Sequence, residues 1–174
     1  MQLELKDATK KEIQKMHSVE HQLADALKML AKMAQNPDLK QALEDHRVET
    51  VEQAKRLETI SAKMGWPAVG VPCIVTKAMA METLQDLNGV EPGPVTDALI
   101  IGAAQKSEHL EIASYGTLIA LAKQMGDNDA AGLLQQSLDE EKAADAKLTK
   151  IAEAAVNPAA VAAPTPPTVP TVPA

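Results

Sequence analysis

The chain has 174 residues, of which 45% are hydrophobic, and its formal net charge is −7. It contains no Phe, one Trp and one Tyr, a composition that offers little to a β-sheet or to the stacking of nucleic-acid bases. The acidic balance argues against nucleic acids and anionic membranes as partners.

A chain of this length can form one domain with a sizeable core. No apolar run reaches membrane-spanning length, and the N-terminus lacks the apolar block of a signal peptide. A single cysteine, Cys73, excludes an internal disulfide framework. We therefore expect a cytoplasmic protein that partners neither membrane nor nucleic acid.

The first half of the chain predicts two long helices. The first is predicted over residues 9–34, where Thr9 and Glu12 have the spacing of a capping box. The second is predicted over residues 37–64, because Asn36 is a favourable cap and a proline follows it in the first turn. The connection between them is short, so the two helices should lie antiparallel.

The second half predicts a matching pair. Residues 65–93 are punctuated by Gly and Pro, with one short helix predicted over 78–87. Two further long helices are predicted over 94–125 and 130–155, joined by a tight turn. The connection of 65–93 is long enough to run the length of the bundle. The expected fold is all-α, a four-helix bundle of two antiparallel pairs joined by a long crossover.

A change in composition predicts where the domain ends. Residues 1–156 should form the bundle, and residues 157–174 carry six of the eleven prolines of the chain. Proline at this density disfavours helix and sheet. We expect an extended, disordered tail, either a plain unstructured end or a spacer or ligand for a small partner.

Each long helix carries an acidic residue near the middle of its apolar stripe. These residues are Glu20, Glu49, Glu108 and Glu141. Mid-helix positions of antiparallel neighbours meet at one level, so the four carboxylates should share one interior layer. His46 precedes Glu49 by one turn, and Thr50 is the alternative inward position on that helix. Because no Lys or Arg lies on these stripes, a pair of bound metal ions would offset the buried charge best.

The candidate ligands extend this layer by one turn in two places. Glu111 follows Glu108 and Asp145 follows Glu141, and each could bind metal or orient a ligand. The full set of candidate metal ligands is Glu20, His46, Glu49, Glu108, Glu111, Glu141 and Asp145. Carboxylates with one imidazole suit iron or manganese better than zinc, so the expected cofactor is two ions of iron or manganese.

Simpler interpretations stand beside this one. A mid-helix Glu is commonly solvent-exposed, and His46 could be a hydrogen-bonded core histidine. His17 is expected beside the ligands or at the surface, and His21 and His109 at the surface. Tyr115 is expected to pack in the core.

Five segments resemble the YciF/YciE-like stress-protein family, a branch of the ferritin-like superfamily. They are VEHQL at 19–23, HRVET at 46–50, RLE at 56–58, EHLEIASY at 108–115 and LDEEKAAD at 138–145. The likeness covers roughly residues 9–153. It implies a ferritin-like bundle, a homodimer, a rubrerythrin-type di-metal site and a link to bacterial stress. The superfamily pattern is Glu-x-x-His, but here Glu52 follows Glu49 at that spacing and Ala144 follows Glu141.

These observations lead to competing functions. The first is a di-metal carboxylate protein that meets oxygen or peroxide, with iron oxidation or peroxide reduction as candidate activities of an oxidase- or peroxidase-like enzyme. The second is a non-catalytic structural or interaction bundle whose carboxylate layer is vestigial or holds a stabilising ion. A third, iron storage, needs a closed shell of subunits, on which the sequence does not report.

Overall fold

A computed structural model describes residues 3–162, and every regular element in that part of the chain is helical. The elements in chain order are α1 (Leu5–Met33), α2 (Pro37–Lys63), α3 (Ile74–Leu87), α4 (Pro94–Gln124), α5 (Asn128–Ile151), a π-helical turn (Ala152–Val156) and α6 (Asn157–Ala162). Four of them are long, and α3 lies inside the crossover, packed on α4 and α1. The predicted all-α bundle is confirmed.

Two apolar clusters fix how the long helices run. The first joins the N-terminal halves of α1 and α5 to the C-terminal halves of α2 and α4, as Met16 and Leu57 illustrate. The second joins the opposite ends of the same helices, with Leu30 and Leu43 among its members. Each helix is therefore antiparallel to its two main neighbours. Since α2 ends at the first cluster and α4 begins at the second, the segment between them runs the length of the bundle.

The turn between α1 and α2 is held from two sides. The Asn36 side chain accepts hydrogen bonds from the backbone N–H groups of Asp38 and Leu39, which confirms it as the cap of α2. From α4, the buried Asp97 carboxylate accepts from the backbone N–H groups of Gln35 and Asn36, both at 2.8 Å. The second contact ties the two helix pairs together, and no sequence pattern had indicated it.

Three predicted helix starts were placed too late. α1 begins at Leu5, and Thr9 lies inside it, where its hydroxyl donates to the Leu5 carbonyl; the capping-box prediction is therefore wrong. α3 begins at Ile74 instead of residue 78. α5 likewise begins at Asn128, two residues before the predicted start, and Asp127 caps it. The first residues of α1 and α3 are exposed, so the differences lie at solvent-facing helix ends, where local signals locate a boundary only to within a few residues.

The predicted extended tail is wrong for its first six residues, because Asn157–Ala162 is helical. Pro158 is the second residue of this helix, which continues directly from the π-helical turn. Just before the helix, Val156 is buried in the second apolar cluster and holds the chain against the bundle. Residues 163–174, the rest of the predicted tail, lie outside the described part.

Across residues 3–162, none of the helices combines the length and the apolar character that crossing a bilayer requires.

Candidate metal centre

Between the two apolar clusters lies a group of buried ionisable side chains, which we call the carboxylate layer. Its members are Glu20 on α1, His46 on α2, Glu108 and Glu111 on α4, and Glu141 on α5. None of the five is more than 5% exposed. All four long helices thus contribute to one interior level, as their mid-helix positions had predicted.

Four members of the layer are close enough to share a cation. His46, Glu108, Glu111 and Glu141 each offer one donor atom, and these atoms all lie within 4.8 Å of one another. The His46 Nε2 atom is 3.1 Å from Glu108 Oε2 and 3.5 Å from Glu141 Oε2. Glu108 and Glu111 reach the same point because residues three apart lie on one face of a helix.

Neighbouring side chains hold two of the carboxylates in place. The Tyr115 hydroxyl donates to Glu20 Oε1. The fully buried Gln53 donates through Nε2 to Glu141 Oε1 and, at 3.1 Å, to Glu140 Oε2. These contacts restrict the rotamers of the carboxylates before any ion binds.

Gln53 and Glu140 belong to a wider arrangement between α2 and α5. Arg56 donates to both oxygens of Glu140, at 2.6 and 2.7 Å, and to Ser137 Oγ at 3.2 Å. Gln53 is not among the residues that the sequence predicted for the site. Its buried amide beside an acidic layer is the signal that could have found it.

The layer favours bound protons on most of its members. Burial, followed by the charge of Glu141, raises the pKa of Glu20 and of Glu111 well above the ordinary value. Burial also raises the pKa of Glu108 to about 8. Burial acts to lower the pKa of His46, but contacts with the carboxylates of Glu108, Glu141 and Glu49 outweigh it and raise the pKa well above its usual range.

Glu141 differs from the other three carboxyls. Burial acts to raise its pKa, but contacts with His46, Glu108 and Gln53 together lower the pKa below the ordinary value. Without a metal ion, these shifts favour an ion pair between the Glu141 carboxylate and the His46 imidazolium. The raised pKa values of the other three carboxyls favour bound protons, which a cation would displace.

The layer meets the requirements of an oxygen-rich metal site. One carboxyl oxygen each of Glu20, Glu108, Glu111 and Glu141 is buried without a hydrogen-bond partner. Two of them, Glu108 Oε2 and Glu141 Oε2, lie near the His46 ring but are not aligned for a hydrogen bond. Within residues 3–162, no Lys or Arg forms an ion pair with any of the four. Unpartnered buried oxygens of this kind are what a hard cation would satisfy.

Two of the predicted ligands are not brought into the layer. Glu49 was expected to point inward, and this is wrong: its side chain is 47% exposed, while the alternative position, Thr50, is buried. Asp145 is 23% exposed and accepts from Gln105 Nε2 at 2.9 Å, so it does not join the cluster. A shift of one residue on a helix rotates a side chain by about 100°, which is the error that stripe assignment permits.

Glu49 nevertheless contacts the layer from outside. Its Oε2 atom is 3.2 Å from His46 Nδ1. An N–H at Nδ1 would donate to this carboxylate and leave the Nε2 lone pair facing Glu108 and Glu141. Carboxylates commonly orient metal-binding histidines in this way.

The remaining aromatic and imidazole predictions have mixed outcomes. Tyr115 is fully buried in the core, as expected. His21 and His109 are exposed, also as expected. His17 is buried and contacts Glu58 and His21, so it lies beside α2 and not at the open surface.

Two cavities reach the layer from opposite sides. One, of about 250 Å³, lies between α2 and α5; His46, Glu49 and Glu108 line it, with Asp45 and Lys147 toward its polar rim. The other, of about 40 Å³, lies under α3 and is largely apolar where it meets Glu108 and Glu111. A small molecule therefore has room to approach His46 and Glu108.

This chain is similar to one family of proteins and to a curated bacterial protein. Residues 4–161 match a family described as Domain of unknown function (DUF892). Protein YciF of Escherichia coli K12 is 41% identical over 142 residues, which cover 81% of this chain and 86% of YciF. Neither of these two names states a metal, a cofactor or a reaction.

Two solved structures share the fold. The E. coli stress protein YciF superposes with a TM-score of 0.85 at 38% identity, covering 90% of this chain and 99% of that one. YcfI from Rhodopseudomonas palustris, described as a candidate structural protein, superposes with a TM-score of 0.82 at 35% identity. That match covers 84% of this chain and 94% of the other.

Proposed function

Because this chain belongs to the family described as Domain of unknown function (DUF892), we propose that it is a YciF-like bacterial stress protein. Its carboxylate layer would bind two ions of iron or manganese. The observation that carries the proposal is the set of buried, unpartnered carboxyl oxygens on three helices around His46. Buried oxygens without a hydrogen-bond partner are costly even on protonated carboxyls, and bound cations would satisfy them.

The side chains divide into ligands and positioning residues. Glu20, His46, Glu108, Glu111 and Glu141 would hold the ions. Glu49 would fix the tautomer of His46, Tyr115 would hold Glu20 and Gln53 would hold Glu141. The apolar clusters on both sides exclude bulk water from the layer. A bound iron or manganese pair would supply electron transfer to or from oxygen or peroxide.

Metal uptake is the first test. Untagged protein, treated with chelator, is titrated with Fe²⁺ without oxygen and with Mn²⁺, and bound metal is counted by elemental analysis. We expect two ions per chain and release of protons on binding, because protonated carboxyls must ionise. The Glu108→Gln/Glu141→Gln double variant should lose both the metal binding and the proton release, since amides are poor ligands for these ions.

The matched control makes the same Glu-to-Gln changes at positions outside the carboxylate layer. Glu12→Gln/Glu52→Gln replaces two exposed glutamates, each paired with a lysine three residues away, and should bind metal as the wild type does. Circular dichroism checks that all variants are helical. Wild-type protein that takes up neither metal would end the proposal.

A second candidate function has support of its own. The site contains one buried imidazole, and one structural relative is described as a candidate structural protein. The carboxylate layer could then hold a stabilising ion without turnover. Admitting air to the Fe²⁺-loaded protein separates the two: the redox proposal expects ferric absorbance to appear faster than in buffer. A higher melting temperature with no faster oxidation would favour the structural bundle.

A further inference from the structure

A second group of metal-ligating side chains lies where α1 meets α2 at the surface. It consists of His17 and His21 on α1 and Glu58 on α2. His17 is buried, but His21 and Glu58 are exposed, so ions in solution can reach the group. We propose that these three residues bind a single borderline divalent ion, Zn²⁺, and that this ion ties α1 to α2.

The helix places the two imidazoles together. His17 and His21 are four residues apart and therefore share one face of α1. Their ring centroids are 4.5 Å apart with an interplanar angle of 66°, and their Nε2 atoms are 3.2 Å apart. Glu20, although next to His21 in sequence, points to the interior and contacts Tyr115. The group is thus separate from the carboxylate layer.

The distances match those around a zinc ion. With Zn–N bonds of about 2.0 to 2.1 Å, two ligands of a tetrahedral site are about 3.3 Å apart. The two Nε2 atoms are 3.2 Å apart, and Glu58 Oε1 is 3.1 Å from His17 Nε2. One donor atom from each of the three residues lies within 4.8 Å of the donor atoms of the other two. An ion at their centre would need little side-chain movement.

Hydrogen bonds within the group cannot pair all three donor atoms when the rings are neutral, and water must complete the bonding of the exposed Glu58. His17 Nε2 faces both His21 Nε2 and Glu58 Oε1. If His17 Nε2 carries a proton, that one proton is shared between two acceptors. If it does not, it can accept from His21, but then nothing is donated to Glu58. A cation in the centre would instead receive a lone pair from all three atoms.

The ligand types select the ion. Two imidazoles and one carboxylate form a common protein ligand set for zinc, with a fourth position left for water. Among residues 3–162, the only ion-pair partner of Glu58 is His17, so no lysine or arginine competes for its carboxylate. The nitrogen-rich surface group and the oxygen-rich layer should therefore prefer different metals.

Zinc binding to the untagged full chain tests this proposal by isothermal titration and elemental analysis. His21→Gln and Glu58→Gln change exposed residues and spare the buried His17. We expect His21→Gln to bind one Zn²⁺ fewer per chain than the wild type. Glu58→Gln should weaken that site by at least about tenfold, given the effect of removing even an outer partner of a ligand. Zinc held by the carboxylate layer would contribute equally to every variant.

His109→Gln is the matched control, because His109 is an exposed histidine on another helix, α4. It should bind zinc as the wild type does. Zinc should also raise the melting temperature of the wild type and of His109→Gln more than that of His21→Gln, since the ion links α1 to α2. If His21→Gln and the wild type give the same zinc stoichiometry and affinity, the site does not exist. Iron uptake by the layer would be unaffected by that result.

Discussion

Among single residues, the contact between Tyr115 and Glu20 illustrates how a buried carboxyl oxygen obtains a hydrogen-bond donor. Tyr115 is fully buried and its hydroxyl donates to Glu20 Oε1. Burial and the neighbouring Glu20 raise the pKa of Tyr115 well above its ordinary value, so the hydroxyl keeps its proton. The role of Tyr115 in the structure is to orient Glu20, a candidate metal ligand.

Removing that hydroxyl should therefore cost stability. In Tyr115→Phe, Glu20 Oε1 loses its donor inside the core, and we expect the free energy of unfolding to fall by about 1 to 3 kcal/mol. Urea unfolding in the presence of chelator measures it. Thr117→Val, which removes an exposed hydroxyl on the same helix, should change little. An unchanged unfolding midpoint in Tyr115→Phe would show that the contact contributes nothing.

The raised pKa values of the layer also predict how stability depends on pH. Glu20, Glu108 and Glu111 have folded-state pKa values above those of the unfolded chain, about 8 for Glu108, and so does His46. The folded state therefore binds more protons between about pH 5 and 8. The lowered pKa of Glu141 acts in the opposite sense, at lower pH.

We therefore expect chelator-treated protein to become less stable as the pH rises from about 5 to 8, as measured by urea unfolding at fixed ionic strength. The Glu108→Gln/Glu141→Gln variant should show a smaller decline, because fewer of these groups titrate. With metal bound, the decline should be smaller or reversed, because ions replace the protons. Stability that rises over this range without metal would contradict the pKa shifts.

At the scale of elements, Asp97 shows how one helix pair organises the other. It lies in the first turn of α4, and its carboxylate receives two backbone N–H groups from the turn between α1 and α2. Charged acceptors make stronger hydrogen bonds than neutral ones. This contact sets the level at which the second pair meets the first, and therefore the level of Glu20 relative to Glu108.

Asp97→Ala should accordingly destabilise the bundle by about 2 kcal/mol, because two backbone N–H groups lose a charged partner. The measurement is chemical unfolding followed by circular dichroism. Asp38→Ala, an exposed acidic residue in the first turn of α2, serves as the control and should cost less than about 1 kcal/mol. Equal effects of the two substitutions would refute a special role for Asp97.

At the scale of the whole molecule, the homodimer stays a prediction, and the surface of α3 is where we expect it to form. Four large apolar side chains of this one helix are exposed, among them Met81 and Leu84 at 63% and 50%. Clustered exposed apolar residues are typical of interfaces. The four long helices bury most of their large apolar side chains in the two clusters.

We expect light scattering after size exclusion to give twice the mass of one chain for the wild type. Met81→Glu/Leu84→Glu should shift the protein toward monomer, because charges would be buried at the interface. Val48→Glu, at an exposed apolar position on α2, should leave the mass unchanged. A monomeric wild type would refute the predicted dimer. An unchanged mass in the α3 variant would show that α3 does not form the interface.

The four long helices, their pairing and the interior position of Glu20, Glu108 and Glu141 could be predicted from the sequence, because they follow from periodicity and from the length of the connections. Features that depend on helix rotation and on distant contacts became visible only in the folded chain. The tertiary structure turned Glu49 outward and placed Gln53 against Glu141. It also brought His17 to Glu58 and Asp97 to the opposite turn. A helical pattern defines a stripe about 100° wide, whereas hydrogen bonds and metal sites are decided by rotations smaller than that.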